Sequence, residues 1–404
     1  MSEGIRLSLI NDLKKYFHIN TISSGLIATI FGATGPILII ISGATAAGLT
    51  YTQTISWIFA VYFFGGLLGL ILSLKYRQPI SGAFSIAGAV LVVESLSTYT
   101  LNEAVGAYII ANLIILILGL TGLVKQVMKW IPVPIVMGMI VGILIHFAVN
   151  MVNAISLSPF IAGAAIVTFL LSMRLLKRFP PVLSALVVVI FLVYLSGEFQ
   201  FSVDQMSFVR PEIVIPTFKF DAIIAISIPL ALIIIATENA QAIGVLVSEN
   251  YRPPISKMAI GGSLLGLIAS LFGAHAINVA GPMTAICASK ESGAKEGRYV
   301  ASVVNGVLFA VFGLLAAVVV PLIIAMPQLV IIVASGLAMI TVLLNSLKVA
   351  FSSQQFQMGA FFALVIGMSD LNFFGISAPL WAIIGSLIVS LIVEKEHFVK
   401  ETSH

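Results

Sequence analysis

The fold is decided by LFGAHAINVAGPMTAICASKESG, residues Leu271 to Gly293. The stretch lies between two long apolar segments, at a depth where lipid should surround it. Yet it carries His275, Asn278, a central Gly281-Pro282 and Thr284. A plain spanning helix does not accommodate this. Proline removes an intrahelical hydrogen bond and clashes with the preceding turn. Gly281-Pro282 is therefore read as a break, with a new short helix starting after it. Irregular backbone at bilayer depth persists only where protein buries it or where it lines a cavity. The rest of the chain is read as the frame that holds this break.

Composition sets the class. Of 404 residues, 60% are apolar and 9% charged, against about 25% charged in a soluble domain. The chain is therefore expected to be an integral membrane protein with almost no mass outside the bilayer. Its formal charge of +4 does not indicate nucleic acid binding, because the Lys and Arg sit in short loops, where they set orientation. The single cysteine, Cys287, excludes an intrachain disulfide. Met1 to Asn20 carries Arg6, Lys14 and Lys15 and runs straight into an apolar span without a small-residue cleavage site. Thr21 onward is expected to be a retained span, not a signal peptide.

A hydrocarbon core of about 30 Å needs roughly 20 apolar residues per helix. Twelve such runs are expected, near 22–44, 54–74, 102–124, 132–149, 156–173, 181–196, 221–247, 255–273, 298–322, 327–347, 357–370 and 376–393. Two shorter ones, near 79–96 and 277–290, are interrupted by Pro79 and Gly82 and by Gly281-Pro282. Charge decides whether these also cross. With fourteen crossings and a cytoplasmic N-terminus, 18 of the 20 basic residues fall on the inside, among them Arg77, Lys125, Lys129, Lys177, Arg178, Arg252, Lys290, Lys348 and Lys400. The other two, Arg210 and Lys219, lie in the one long outside loop, 197–220, where the rule is weakest. With twelve crossings the alternation fails after the second span.

Fourteen spans divide into two sevens, and an odd number per half makes the halves inverted. The expected division is 1–196, a connecting loop 197–220 outside the cytoplasm, and 221–404. The broken segments are then the third and the tenth. Gly82-Ala83-Phe84-Ser85 is expected opposite Gly281-Pro282-Met283-Thr284. Gly65/Gly69, Gly138/Gly142 and Gly262/Gly266 are read as small faces for close helix packing.

Among the acidic residues, Glu238 alone falls deep inside a long span, in Thr237-Glu238-Asn239-Ala240-Gln241. An ionisable group there is costly unless paired or hydrated and marks a functional site. Glu238 is thus a candidate to take and release a proton, and the bland alternative is a neutral Glu bonded between helices. Asn239 and Gln241 are close enough along the helix to hold a polar substrate or Glu238 itself. Glu94 is read as reaching outside water, His146 and Cys287 as packing groups. His275 divides evenly between a satisfied core group and a site or gating role beside Asn278. If the two short helices begin near Phe84-Ser85 and Met283-Thr284, their N-termini converge at the membrane centre. Free N–H groups and positive dipole ends there favour an anion such as a carboxylate. Phe84 can cover a flat ring. No cluster has metal-ligand spacing, no Gly-rich loop follows a strand, and no nucleophile sits with a base. An enzyme, a metal and a cofactor are therefore not expected.

At Phe272-Gly273-Ala274-His275-Ala276-Ile277-Asn278 and Thr284-Ala285-Ile286-Cys287-Ala288 the chain resembles the benzoate transporter (BenE) family of bacterial inner-membrane proteins. Weaker likenesses are Asn250-Tyr251-Arg252-Pro253-Pro254, Tyr76-Arg77-Gln78-Pro79, Glu103 to Ala107 and Ile131-Pro132-Val133-Pro134. The resemblance implies proton-coupled uptake of benzoate or a related aromatic acid. It also implies the architecture of nucleobase/cation symporters and sulfate-type anion transporters: an all-α polytopic membrane protein of fourteen segments in a seven-plus-seven inverted repeat. In that architecture the broken third and tenth segments are each a short strand plus a half-helix. Spans 1–4 and 8–11 would form a core and 5–7 and 12–14 a gate, and such proteins often pair as homodimers. One departure is Glu238, where the family pattern has an uncharged polar residue before the Asn. An acid here is similar to the nucleobase symporters, but their second Glu has no counterpart in Gly281-Pro282-Met283.

The expectation is a proton/aromatic-carboxylate symporter of the bacterial inner membrane, both termini cytoplasmic, working by alternating access. Glu238 would couple the proton, and Glu238, Asn239, Gln241, Phe84, Ser85, His275, Asn278, Met283 and Thr284 would line the substrate site. The alternatives are a uracil- or xanthine-type nucleobase symporter and an anion exchanger or channel.

Overall fold

Apolar residues from Ile19 to Ala46 make one run of 28, but Pro36 divides it. The result is α1 (Ile19–Thr34) and α2 (Pro36–Ala46), because Pro36 cannot donate into the preceding turn. The computed structural model describes residues 11–124, 126, 132–176, 181–197, 209–369, 371–373 and 376–401. Arg6, Lys125, Lys129, Lys177, Arg178, Ile131 and residues 198–208 of the long loop lie outside them.

Helix α3 (Tyr51–Tyr76) opens on Thr50, whose Oγ1 accepts from the Gln53 N–H at 3.2 Å, and closes on Arg77 in the left-handed region. Strand β1 (Gly82–Ala83) leads into α4 (Ile86–Ser95), followed by α5 (Leu101–Thr121), α6 (Val133–Leu157), α7 (Pro159–Leu175) and α8 (Pro181–Ser196). The second part of the chain begins with α9 (Phe220–Ser248) and α10 (Ile255–Ser270). Strand β2 (Asn278–Val279) then leads into α11 (Gly281–Ala288). The remaining elements are α12 (Tyr299–Leu314), α13 (Ala316–Ile324), α14 (Gln328–Phe351), α15 (Gln357–Gly367), the hairpin strands β3 (Asn372–Phe373) and β4 (Ile376–Ser377), α16 (Ala378–Val393) and α17 (Lys395–Glu401). Among the described residues, seven helices are long and apolar enough to cross a bilayer.

Strands β1 and β2 pair antiparallel, Gly82 with Val279 and Ala83 with Asn278. This corrects the expected register. Gly281-Pro282 lies beyond the pairing and begins α11, because proline is well tolerated in the first helical turn, where its missing N–H has no intrahelical partner. The break is the extended stretch before it. The two half-helices start at Ile86 and Gly281.

The glycines read as helix-packing faces divide into two kinds. A Cβ on Gly65 would lie 2.9 Å from Ala83 Cα, and one on Gly69 2.6 Å from Gly82 N. A Cβ on Gly262 would lie 2.6 Å from the Ile277 carbonyl. These residues seat the strands against α3 and α10. Gly138 and Gly142 bring helix to helix, facing Ala360 and Leu364 on α15, and Gly266 does so on α10, facing Asn112 on α5.

The helices pack in two groups. In one, α3 and α1 lie along α12, and α5 lies along α10. In the other, α6 lies along α14 and α15, α15 along α16, and α7 along α8. The second group is closed at one end by Glu394. Its carboxylate is buried and accepts from the N–H groups of Met358 and Gly359 (3.0 Å each) and from Ser390 Oγ (2.8 Å). The acid thus caps the first turn of α15, where free N–H groups and the dipole favour a negative charge. Glu394→Ala is expected to lower unfolding stability by about 2 kcal/mol, because buried donors lose their acceptor. Glu394→Gln should recover part of it, and an unchanged melting temperature in detergent would contradict the assignment.

Candidate functional site

Two wide turns interrupt α9, at Ile223–Ser227 and Ile234–Asn239. Such π-turns add a residue to the turn and re-aim the side chains that follow. The second carries Glu238 and presents it to the start of α4. There Ser85 caps the half-helix, its Oγ accepting from the Gly88 N–H at 2.9 Å. The same hydroxyl donates to Glu238 Oε1 at 2.8 Å, and the Ile86 amide also bonds to the carboxylate. The positive end of α4 is therefore already occupied by an acid of the chain. The N-terminus of α11 has no side-chain cap, and Pro282 contributes no N–H, so the amides of Gly281 and Met283 are its remaining first-turn donors.

His275 is fully buried and holds this arrangement from behind. The Trp57 indole N–H can only donate, so the 3.2 Å contact makes His275 Nδ1 the acceptor. Nε2 then carries the proton and donates to the Ser85 carbonyl at 2.8 Å. One acceptor and one donor are what a neutral imidazole offers, and both are used. The ring also stands edge-on to Phe84, centroids 5.9 Å apart.

A cavity of about 600 Å³ lies at the seam of the two helix groups. Of the residues named for the substrate site, Phe84, Glu238, Gln241 and Met283 line it. Ser85 reaches it through Glu238. The other expected residues do not line it. Asn239 and Asn278 are buried, each with its side-chain oxygen unpaired. Thr284 Oγ1 accepts from the Ser81 N–H at 3.2 Å, and Ser81 Oγ contacts Ser302 Oγ (3.0 Å) and Cys287 Sγ (3.4 Å). These groups brace α11 against β1 and α12. His275, Asn278 and Thr284 were expected at the site because they sit beside the break in sequence, but none of them lines the cavity. His146 bonds the Met368 carbonyl through Nε2 at 3.1 Å, outside the cavity lining. Gly281 explains itself by contact, since a Cβ there would lie 2.7 Å from Gln241 Cβ.

Sequence reasoning missed the opposite wall, which α14 supplies with Thr341 and Asn345. Their four-residue spacing puts them on one helix face, a signal that was available. Apart from Thr237 and Ser346, the rest of the lining is apolar or aromatic, including Phe31 and Phe309, and among the described residues no Lys or Arg lines the cavity.

A family model described as benzoate membrane transport protein matches residues 15–392. Inner membrane protein YdcO of Escherichia coli (strain K12) is 28% identical over 383 residues, covering 94% of this chain and 98% of that protein. The benzoate membrane transport protein of Acinetobacter baylyi is 26% identical over 389 residues, covering 96% and 98%. In three dimensions the chain is similar to the transmembrane domain of a cyanobacterium bicarbonate transporter, BicA, with TM-score 0.62 and 16% identity over 92% of this chain and 97% of that one. SLC26A9 matches with TM-score 0.60 and 14% identity over 92% and 65%. The apolar helices, the seam cavity and the match along nearly the whole chain agree: this is a multi-pass membrane transporter and belongs to the benzoate membrane transport protein family.

Proposed function

We propose that the protein is a proton-coupled symporter that carries benzoate or a related aromatic carboxylate across the bacterial inner membrane. The observation that carries this reading is the unequal state of the two half-helix N-termini. Glu238 occupies that of α4, and that of α11 stands uncapped at the cavity. A substrate carboxylate on the Gly281 and Met283 amides would share an apolar cavity with the Glu238 carboxylate, with no lining cation to offset either. Two unit charges in such a medium repel by several kcal/mol. One proton entering with the substrate removes one of those charges, so binding of acid and proton becomes linked. Phe84, Phe31 and Phe309 suit the faces and edges of a flat ring.

The same reading includes fourteen crossings in a seven-plus-seven inverted repeat, with halves 1–196 and 221–404 joined by 197–220. Seven long helices, six shorter apolar ones and the β2–α11 unit offer that many segments. The two packing groups suit a core and a gate, with a homodimer as the expected assembly. The lining runs along α9 to Val245, along α11 to Ile286 and along α14 to Val349. These helix ends lead to the loops of Arg252 and Lys290 and to Lys348, which supports a cavity facing the cytoplasm, with both termini on that side.

The test is thermal stabilisation of the purified protein by benzoate, substituted benzoates, uracil, xanthine and sulfate. At a hundredfold excess over Kd a ligand contributes about 2.7 kcal/mol, or roughly 5 °C. Benzoates are expected to give that shift. A shift from uracil or xanthine alone would favour the second reading, which the adjacent Glu238 and Gln241 support by offering acceptors to ring N–H groups. A shift from sulfate alone would point to anion exchange.

A further inference from the structure

Helix α14 is apolar around Thr341 and Asn345, with Met339, Ile340, Leu343 and Leu344 as neighbours, except for Ser346, which follows Asn345 and lines the same cavity. Both side chains are exposed, and both line the cavity. Among the described residues neither has a hydrogen-bond partner. An amide and a hydroxyl at this depth, unsatisfied by protein, cost free energy unless the cavity satisfies them. They belong to the helix group opposite Glu238 and α11, so they face the substrate from its far side.

We infer that Thr341 and Asn345 form a second polar wall that reads a neutral hydrogen-bonding substituent on the ring. The preferred class is then a hydroxylated (or carbamoylated) aromatic monocarboxylate, not the bare ring acid. This rests on the aromatic-carboxylate reading of the site. The carboxylate would lie at the α11 amides, the ring among Phe84, Phe31 and Phe309, and the substituent against α14. The cavity of about 600 Å³ is in the range that holds drug-sized ligands, larger than one unsubstituted ring needs. Asn offers donors and an acceptor and Thr one of each, which matches a phenol or a carboxamide. A second carboxylate would meet no cation there. A methyl group in the same place would bury the Asn345 amide unpaired, and sites built to bond a hydroxyl reject the analogue that lacks it. A substituent held by α14 also ties the two helix groups through the substrate, so the hydroxylated acid would favour their closure around it.

The test measures Kd of benzoate, 3- and 4-hydroxybenzoate and 4-methylbenzoate on the full chain, for the wild type, Asn345→Leu and Thr341→Val. In the wild type at least one hydroxybenzoate is expected to bind on the order of tenfold tighter than benzoate, the worth of about one good hydrogen bond, and 4-methylbenzoate more weakly than either. Asn345→Leu, similar in shape, should erase that preference, so that within the variant the hydroxybenzoates bind no tighter than benzoate. If this variant fails to fold, Thr341→Val carries the test with a smaller loss of preference. Benzoate binding without any hydroxyl preference, or a preference that survives both substitutions, overturns this inference and leaves the parent reading standing. Binding of uracil or sulfate with no ring acid overturns both.

Discussion

Glu238→Gln is expected to abolish accumulation driven by a pH gradient in proteoliposomes while substrate counterflow persists. Gln keeps the length and shape of Glu and retains an oxygen for the Ser85 hydroxyl, which now donates to Glu238 at 2.8 Å. The cap of α4 and the cavity therefore survive. What disappears is a group that can hold a proton in one state and release it in another. In the wild type a one-unit pH difference is worth about 1.36 kcal/mol per proton, or tenfold accumulation. In the variant the substrate meets a permanently neutral partner and moves only down its own gradient. Loss of both accumulation and counterflow would reassign Glu238 to direct binding. Unchanged accumulation would sink the coupling role altogether.

The second large effect concerns a residue that never touches the cavity. His275→Leu leaves the Trp57 indole N–H buried without a partner and the Ser85 carbonyl with only the Ala89 N–H. The orphaned donor costs about 1–3 kcal/mol and the lost second bond to the carbonyl about 1 kcal/mol, so a loss of roughly 2–4 kcal/mol is expected, with transport lost as the α4 cap drifts. His275→Gln should behave differently. Its oxygen can accept from Trp57 and its amide can donate to Ser85, so most stability and uptake should return. A Leu variant with wild-type melting temperature and a changed substrate Kd would falsify the bracing role and make His275 a ligand.

These two residues mark how far the sequence carried the argument. Glu238 was legible because a charge within a long apolar run has few bland explanations, and the break at 271–293 because Gly, Pro, His and Asn do not coexist in a plain span. The benzoate family was legible from the runs around His275 and Thr284. The strand register was not, since two-residue strands have no alternation to read, and Gly281-Pro282 drew attention one turn too late. Nor was the side on which His275, Asn278 and Thr284 face. Their polarity is the same whether they meet substrate or brace a half-helix, and only the pairing of Gly82 with Val279 turns them to the rear. Thr341 and Asn345 had the right spacing, but polar pairs one turn apart often pack inward. Which face of α14 meets the cavity is a property of the assembled helices. The small-residue faces likewise needed the fold, because a glycine that seats a strand and one that seats a helix read identically.

The buried contact between Ser81 and Cys287 has a practical consequence for spectroscopy. The sole thiol of the chain is enclosed behind α11 and fully shielded, so maleimide or nitroxide reagents should leave the native protein unlabelled. Single cysteines introduced on α14 and at the rim of the opposing helix group can then report distances and solvent access against a silent background, without first removing a native residue. Opening and closing of the seam becomes measurable with Cys287 left in place, at whatever pH and substrate concentration are chosen.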